Sequence, residues 1–149
     1  MRLFFVLMAV AISTSLSAQN VEYDSVLAKS LGADDYGMKM YTFVILKTGP
    51  KTIADKAKKD SIFAGHLANI GRLVDEGQLI LAGPLMKNDK SYRGIFILNV
   101  KTIEEANELL KTDPAVQEKL LEADVYPWYG SAALPLYLDA SKRIEKKQH

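Results

Sequence analysis

The chain has 149 residues, a formal charge of +1 and no cysteine. That length suits one domain with one core. The near-neutral charge gives no general attraction to nucleic acid, and the missing cysteines exclude disulfides, thiolate metal sites and cysteine nucleophiles.

Arg2, the apolar run "LFFVLMAVAI" (3–12) and the small residues of "STSLSAQ" form a signal-peptide pattern over residues 1–18. Its apolar core is shorter than the roughly 20 residues that span a bilayer. A cut after Ser17 leaves Ser15 and Ser17 at the key positions, whereas a cut after Ala18 puts Leu16 at one of them. The expectation is a bacterial protein exported to the periplasm or secreted, free of the membrane once the signal is removed.

Residues 19–37 read as an N-terminal arm with one short helix near Val26–Leu31 and a closing turn, Asp34-Asp35-Tyr36-Gly37. "MKMYTFVILK" (38–47) is rich in aromatic and β-branched residues and reads as a strand, stopped by "TGP". In the next segment, Phe63, Leu67, Ile70 and Val74 recur at helical spacing, and Gly77 is placed as a C-cap. "LILAGPLMKNDKSYRGIFIL" (79–98) supplies two strands, near 79–85 and 94–100, joined by a polar loop. "TIEE" (102–105) is a capping box that opens a helix bearing Ile103, Ala106, Leu109 and Leu110. "TDP" (112–114) breaks that helix and begins another through "AVQEKLLE", and "ADVYPWYGS" (123–131) is a last strand, with Pro127 suiting an edge. Residues 131–149 are left as a C-terminal tail.

The order strand, helix, strand, strand, helix, strand is the ferredoxin-like split βαβ arrangement: an α+β fold with a four-stranded antiparallel sheet and its helices on one face. The strands are apolar on both faces. Tyr41, Phe43 and Ile45 alternate with Met40, Val44 and Leu46, and neither set is polar. A second apolar face is a large patch that calls for a partner, and the simplest is another copy related by two-fold symmetry. A homodimer through the open sheet face is therefore expected.

"HLANIGRLVDEGQLILAGPL" followed by "RGIFILNVKTIEEANELLKTDPAVQEKLLEADVYPWY" resembles the YCII-related domain family. The shared features are a helix histidine, the "EG.L" turn, "AGP", a glycine before an apolar strand, "EEA", "DP.V" and an apolar strand ending in "PW". The resemblance covers about residues 39–130, within a domain read as 38–130, and implies a ferredoxin-like domain that pairs into a dimeric α/β barrel. It also implies a catalytic pair, His66 and the Asp of "DP", Asp113. One branch of that family eliminates hydrogen chloride from a chlorinated ring-cleavage product. The departures here are the export signal, the basic stretch before the first long helix and the tail.

His66, the sole internal histidine, sits on the flank of the apolar stripe, where a ring is half-sheltered yet can reach a cleft. It reads either as a boundary histidine or as a proton shuttle. Asp113 reads as an N-cap before Pro114, as the carboxylate that orients an imidazole, or as both, since it has two oxygens. Gly83 and Pro84 form a turn that the resemblance places beside the pocket, and Tyr41 on the first strand is a further candidate for substrate contact. Lys47, Lys51, Lys56, Lys58 and Lys59 read as a solvated basic face or as a funnel for an anionic substrate. No ligand spacing for a metal and no phosphate loop or dinucleotide fingerprint is present, so no cofactor is expected. Two functions remain open: a small-molecule enzyme performing elimination, isomerisation or hydrolysis through a His/Asp pair, or a non-catalytic dimer that binds a small ligand in the cell envelope.

Overall fold

The computed structural model describes residues 22–146; the signal-peptide pattern lies outside them. The N-terminal arm holds helix α1 (Ser25–Leu31), capped by the Asp24 carboxylate at one end and by left-handed Gly32 at the other. The Asp34 turn comes next, its carboxylate accepting from the backbone N–H groups of Tyr36 and Met38. Tyr129 also donates its hydroxyl to Asp34, which ties the arm to the domain. This bond, ahead of the two backbone donors, holds the Asp34 carboxyl below its usual range.

The domain itself is β1 (Met38–Thr48), α2 (Lys56–Asp75), β2 (Leu79–Pro84), β3 (Tyr92–Leu98), α3 (Ile103–Leu110), α4 (Pro114–Gln117) and β4 (Leu121–Ser131). All strand pairs are antiparallel, in the order β2-β3-β1-β4. This is the split βαβ sheet, and β4, with Pro127, is an edge strand as its proline requires. Val44, Leu46, Leu79, Phe96, Leu98 and Leu121 point to the helical side and form the main core with Leu73, Ala106, Leu110 and Ala115. The Thr102–Glu105 capping box is formed as its spacing dictates.

Several details depart from the sequence expectations. The helix after "TDP" is one turn long, because Lys119 takes a left-handed φ of 56° and Leu120 already bonds to the end of β1. Gly49 permits that junction: a Cβ there would lie 2.2 Å from the Lys119 carbonyl oxygen. Along α2, Leu73 is a core residue and Leu67 is half-exposed, so the buried stripe runs through Phe63, Ile70, Leu73 and Val74 instead.

The C-terminal segment is structured. A 3₁₀ turn (Leu134–Leu136) leads into α5 (Tyr137–Ile144). Leu134 and Leu138 pack on Tyr41, Ile80 and Ile97, so part of the second apolar sheet face is covered from within the chain. Ile80 is the extra residue of a β2 bulge, and its carbonyl accepts the Tyr137 hydroxyl at 2.6 Å. Burial pushes that phenol above its usual range, so it stays a donor. Partly buried Phe43, Ile45 and Ile95 and the more open Tyr126 remain on the same face.

Candidate functional site

His66 lies midway along α2, a helix opened by the Asp55 side chain on the Lys58 N–H. Asp113 is the N-cap of α4, the position that an Asp before a helical Pro favours. The sheet topology sets α2 and the start of α4 side by side, and Pro114 fits against α2 at Gly65, where a Cβ would lie 3.1 Å from the proline ring. Across this contact His66 Nδ1 and Asp113 Oδ2 are 2.6 Å apart. The other carboxylate oxygen, Oδ1, accepts from the Ala115 N–H at 2.8 Å. The two readings of Asp113 thus hold together, one on each oxygen.

The pair is sheltered, with side-chain exposures of 12% for His66 and 1% for Asp113. A carboxylate buried so deeply requires partners, and both its oxygens have one. The imidazole is fixed by more than the hydrogen bond. It stacks on Phe96, centroids 6.2 Å apart, and meets Phe63 edge-on at 6.1 Å. Nearly two turns further along α2, Arg72 Nη2 donates to both Asn69 Oδ1 (2.8 Å) and Thr112 Oγ1 (2.9 Å). That latch fastens the residue before Asp113 to the helix that carries His66. With Nδ1 donating to a carboxylate, the neutral ring leaves Nε2 as the open nitrogen. Nε2 makes no hydrogen bond among the described residues and is not sealed from solvent.

The cavity beside it measures about 1230 Å³ and runs between α2, the end of β2, the start of β3 and α5. Phe63, His66, Leu67 and Phe96 line its middle, Gly83 and Pro84 its sheet side, and Tyr137 and Leu138 its far wall. Of the expected site residues, the structure therefore brings His66, Asp113, Gly83 and Pro84 together. It does not bring Tyr41. That ring is buried on the opposite sheet face, tilted against Trp128 with centroids 5.7 Å apart, its hydroxyl donating to the Ser131 carbonyl. The reason is the strand period: Tyr41 shares a face with Phe43 and Ile97, away from the helices.

The basic stretch is mostly paired at the surface. Lys47 meets Asp124 at 2.7 Å, Lys51 meets Glu118 and Lys56 meets Asp60. Lys51 and Lys59 reach the cavity rim. Asp75 is exposed near Lys142, at 3.8 Å, and takes no part in the pair. The cavity residues that sequence reasoning misses are Arg93 and the α5 wall. Both depend on contacts between distant segments.

Fold and site together define a small α+β domain with a helix histidine held by a buried capping carboxylate. The family model for the YCII-related domain matches residues 40–129. The chain belongs to that family, as the resemblance implied. Among solved structures it is similar to the 5-chloro-2-hydroxyhydroquinone dehydrochlorinase of Burkholderia phenoliruptrix AC1100, solved in complex with 2,5-dihydroxybenzoquinone. The identity is 20%, the TM-score 0.41, and the alignment covers 58% of this chain and 92% of that one. Comparison with curated proteins gives no match. No described helix is long and apolar enough to cross a membrane.

Proposed function

We propose that this protein is an exported enzyme that moves a proton on a small organic molecule through the His66–Asp113 pair. One observation carries the reading: a buried carboxylate bonds Nδ1 at 2.6 Å while Nε2 stays open beside a cavity large enough for a small molecule. Nε2 is the atom that takes or gives the proton, and Asp113 fixes the tautomer and supports the charge that develops on the ring. Elimination, isomerisation and hydrolysis each need one such shuttle. The protein acts as a homodimer. Support for that lies in the apolar residues only partly covered on the second sheet face, Phe43, Ile45 and Ile95, and in exposed Tyr126, beside the part that α5 covers.

The test is a turnover screen of the mature chain against small organic acids, lactones and halogenated substrates, run beside His66→Ala. Acceleration by the wild type and its loss in the variant are expected. Turnover that survives His66→Ala would overturn the reading. N-terminal sequencing of protein from the native host should find a start near Ala18–Asn20; an intact Met1 would refute export.

A further inference from the structure

Arg93 occupies an unusual place. Along β3, Ile95 and Ile97 face the second side of the sheet, and regular alternation would send Arg93 there too. The β1–β3 ladder, however, passes from Leu46↔Gly94 to Lys47↔Tyr92, which leaves Arg93 as the extra residue of a bulge. Bulges re-aim side chains. Here Arg93 Nε donates to the Thr48 hydroxyl at 2.5 Å, and both residues line the cavity of His66. Thr48 is a helix-side position, two residues beyond Leu46 on the same strand. The guanidinium makes no ion pair, and its Nη1 and Nη2 make no hydrogen bond among the described residues.

The other charges of the cavity sort by position. Lys59 lies at the same end, near the start of α2, with no ion-pair partner among the described residues. Lys51 at that end is already occupied by Glu118. The two cavity carboxylates, Asp75 and Glu145, belong to the opposite end, where Lys142 and Ser141 meet them. Between the ends stand Phe63, Leu67, Ile70 and Phe96. Arg93 is three residues, about 10 Å of strand, from the Phe96 ring on which His66 stacks. An arginine side chain and a single six-membered ring together cover that span.

We propose that Arg93 is the anion anchor of this cavity and that its ligand is a small, ring-sized apolar molecule bearing a carboxylate. The planar fork of Nη1 and Nη2 matches the two oxygens of a carboxylate. Anchored there, the apolar body lies along Phe96 and Phe63 and presents its far side to His66 Nε2. The proposal rests on the acid–base reading for the chemistry after binding, but the binding itself is measured without turnover.

Benzoate serves as the probe and benzamide as its neutral isostere, each titrated into the 15N-labelled mature protein and followed at the Arg93 Nε–H and His66 ring resonances. Benzoate should shift both sets saturably and bind at least about tenfold more tightly than benzamide. Arg93→Gln should weaken benzoate by about tenfold or more and leave benzamide unchanged, and Arg93→Lys should fall between, since it keeps the charge and loses the fork. His66→Gln keeps the anchor, so benzoate binding to that variant separates the anchor from the proton shuttle. Equal affinity for the two probes, an Arg93→Gln variant that binds benzoate as the wild type does, or no saturable shift below about 20 mM benzoate would overturn the proposal.

Discussion

Replacing Asp113 by Asn changes one atom and forces a choice. In the wild type, Oδ1 accepts from Ala115 N–H at 2.8 Å and Oδ2 faces His66 Nδ1 at 2.6 Å. Asparagine has a single oxygen. If that oxygen keeps the helix cap, the amide NH₂ points at Nδ1, which then bonds only as an acceptor, and the ring hydrogen moves to Nε2. If the oxygen instead keeps the Nδ1–H bond, the NH₂ confronts the Ala115 N–H. The cap, worth about 1 kcal/mol, is then lost, and a buried donor is left unpaired at about 1–3 kcal/mol more. The first arrangement wins by a margin that corresponds to more than tenfold in population. The variant is expected to fold, to lose about 1–2 kcal/mol as a charge-assisted bond becomes a neutral one, and to invert the imidazole tautomer. Imidazole 15N shifts report the tautomer directly: hydrogen on Nδ1 in the wild type and on Nε2 in Asp113→Asn. A base at Nε2 is then disabled, so turnover should fall far more than stability. A variant that keeps its hydrogen on Nδ1 would refute the reasoning.

Three further outcomes are expected. The charge of Ile95→Lys on the uncovered sheet face should convert a dimer to monomer in sedimentation at tens of micromolar, and a wild type that is monomeric there would remove the dimer. Leu138→Ala should lower stability by about 1–2 kcal/mol, less than the 2–5 of a fully buried leucine, and an unchanged urea midpoint would mean that α5 contributes nothing by docking. The Glu105 carboxyl is held below its usual range, first by the Thr102 N–H and then by the Lys101 N–H. Its stabilising effect is therefore present above the usual glutamate value and fades as pH falls through the lowered one. The stability difference between wild type and Glu105→Gln should shrink as pH falls below the usual glutamate range, and a constant difference would discard the capping box as its source.

What was legible in the chain was what local chemistry decides. The strand of β1, the Thr102 box, the Asp34 turn and the Gly77 stop each follow from a few adjacent residues, and the element order then selects the sheet. His66 was readable as a flank position because the helix period places it there. The errors have a common physical origin in contacts between distant segments. Leu67 fits the apolar stripe by spacing, yet at that turn of α2 the neighbour is a cavity and not the sheet. Helix α4 is cut short by the hydrogen bonds of Gly49 and Lys51 to Leu120 and Lys119, more than sixty residues away in sequence. Tyr41 is a candidate for substrate contact that its strand position denies, since it shares the face of Ile80 and Ile97 away from the helices. Arg93 could not have been found at all, since a bulge is a property of two strands and appears in neither one alone.

The identity of residue 113 shows why capping is too small a reason for an aspartate there. The helix it caps has four residues, far fewer than the dozen or more that an isolated helix needs to persist in water. Tertiary packing of Ala115 and Pro114 holds that turn in place, and a cap adds about 1 kcal/mol. Ser, Thr or Asn would supply the same acceptor without an ionised group in a site 1% exposed to solvent. A buried carboxylate left with a single N–H partner would cost several kcal/mol. What offsets that cost is the second oxygen, met by an imidazole N–H that Phe96, Phe63 and the Arg72 latch hold in position. The aspartate is tolerable because His66 is there, and His66 points its other nitrogen toward the cavity because the aspartate is there. Stability alone explains neither residue, and under the proposed function each serves a proton moved at Nε2.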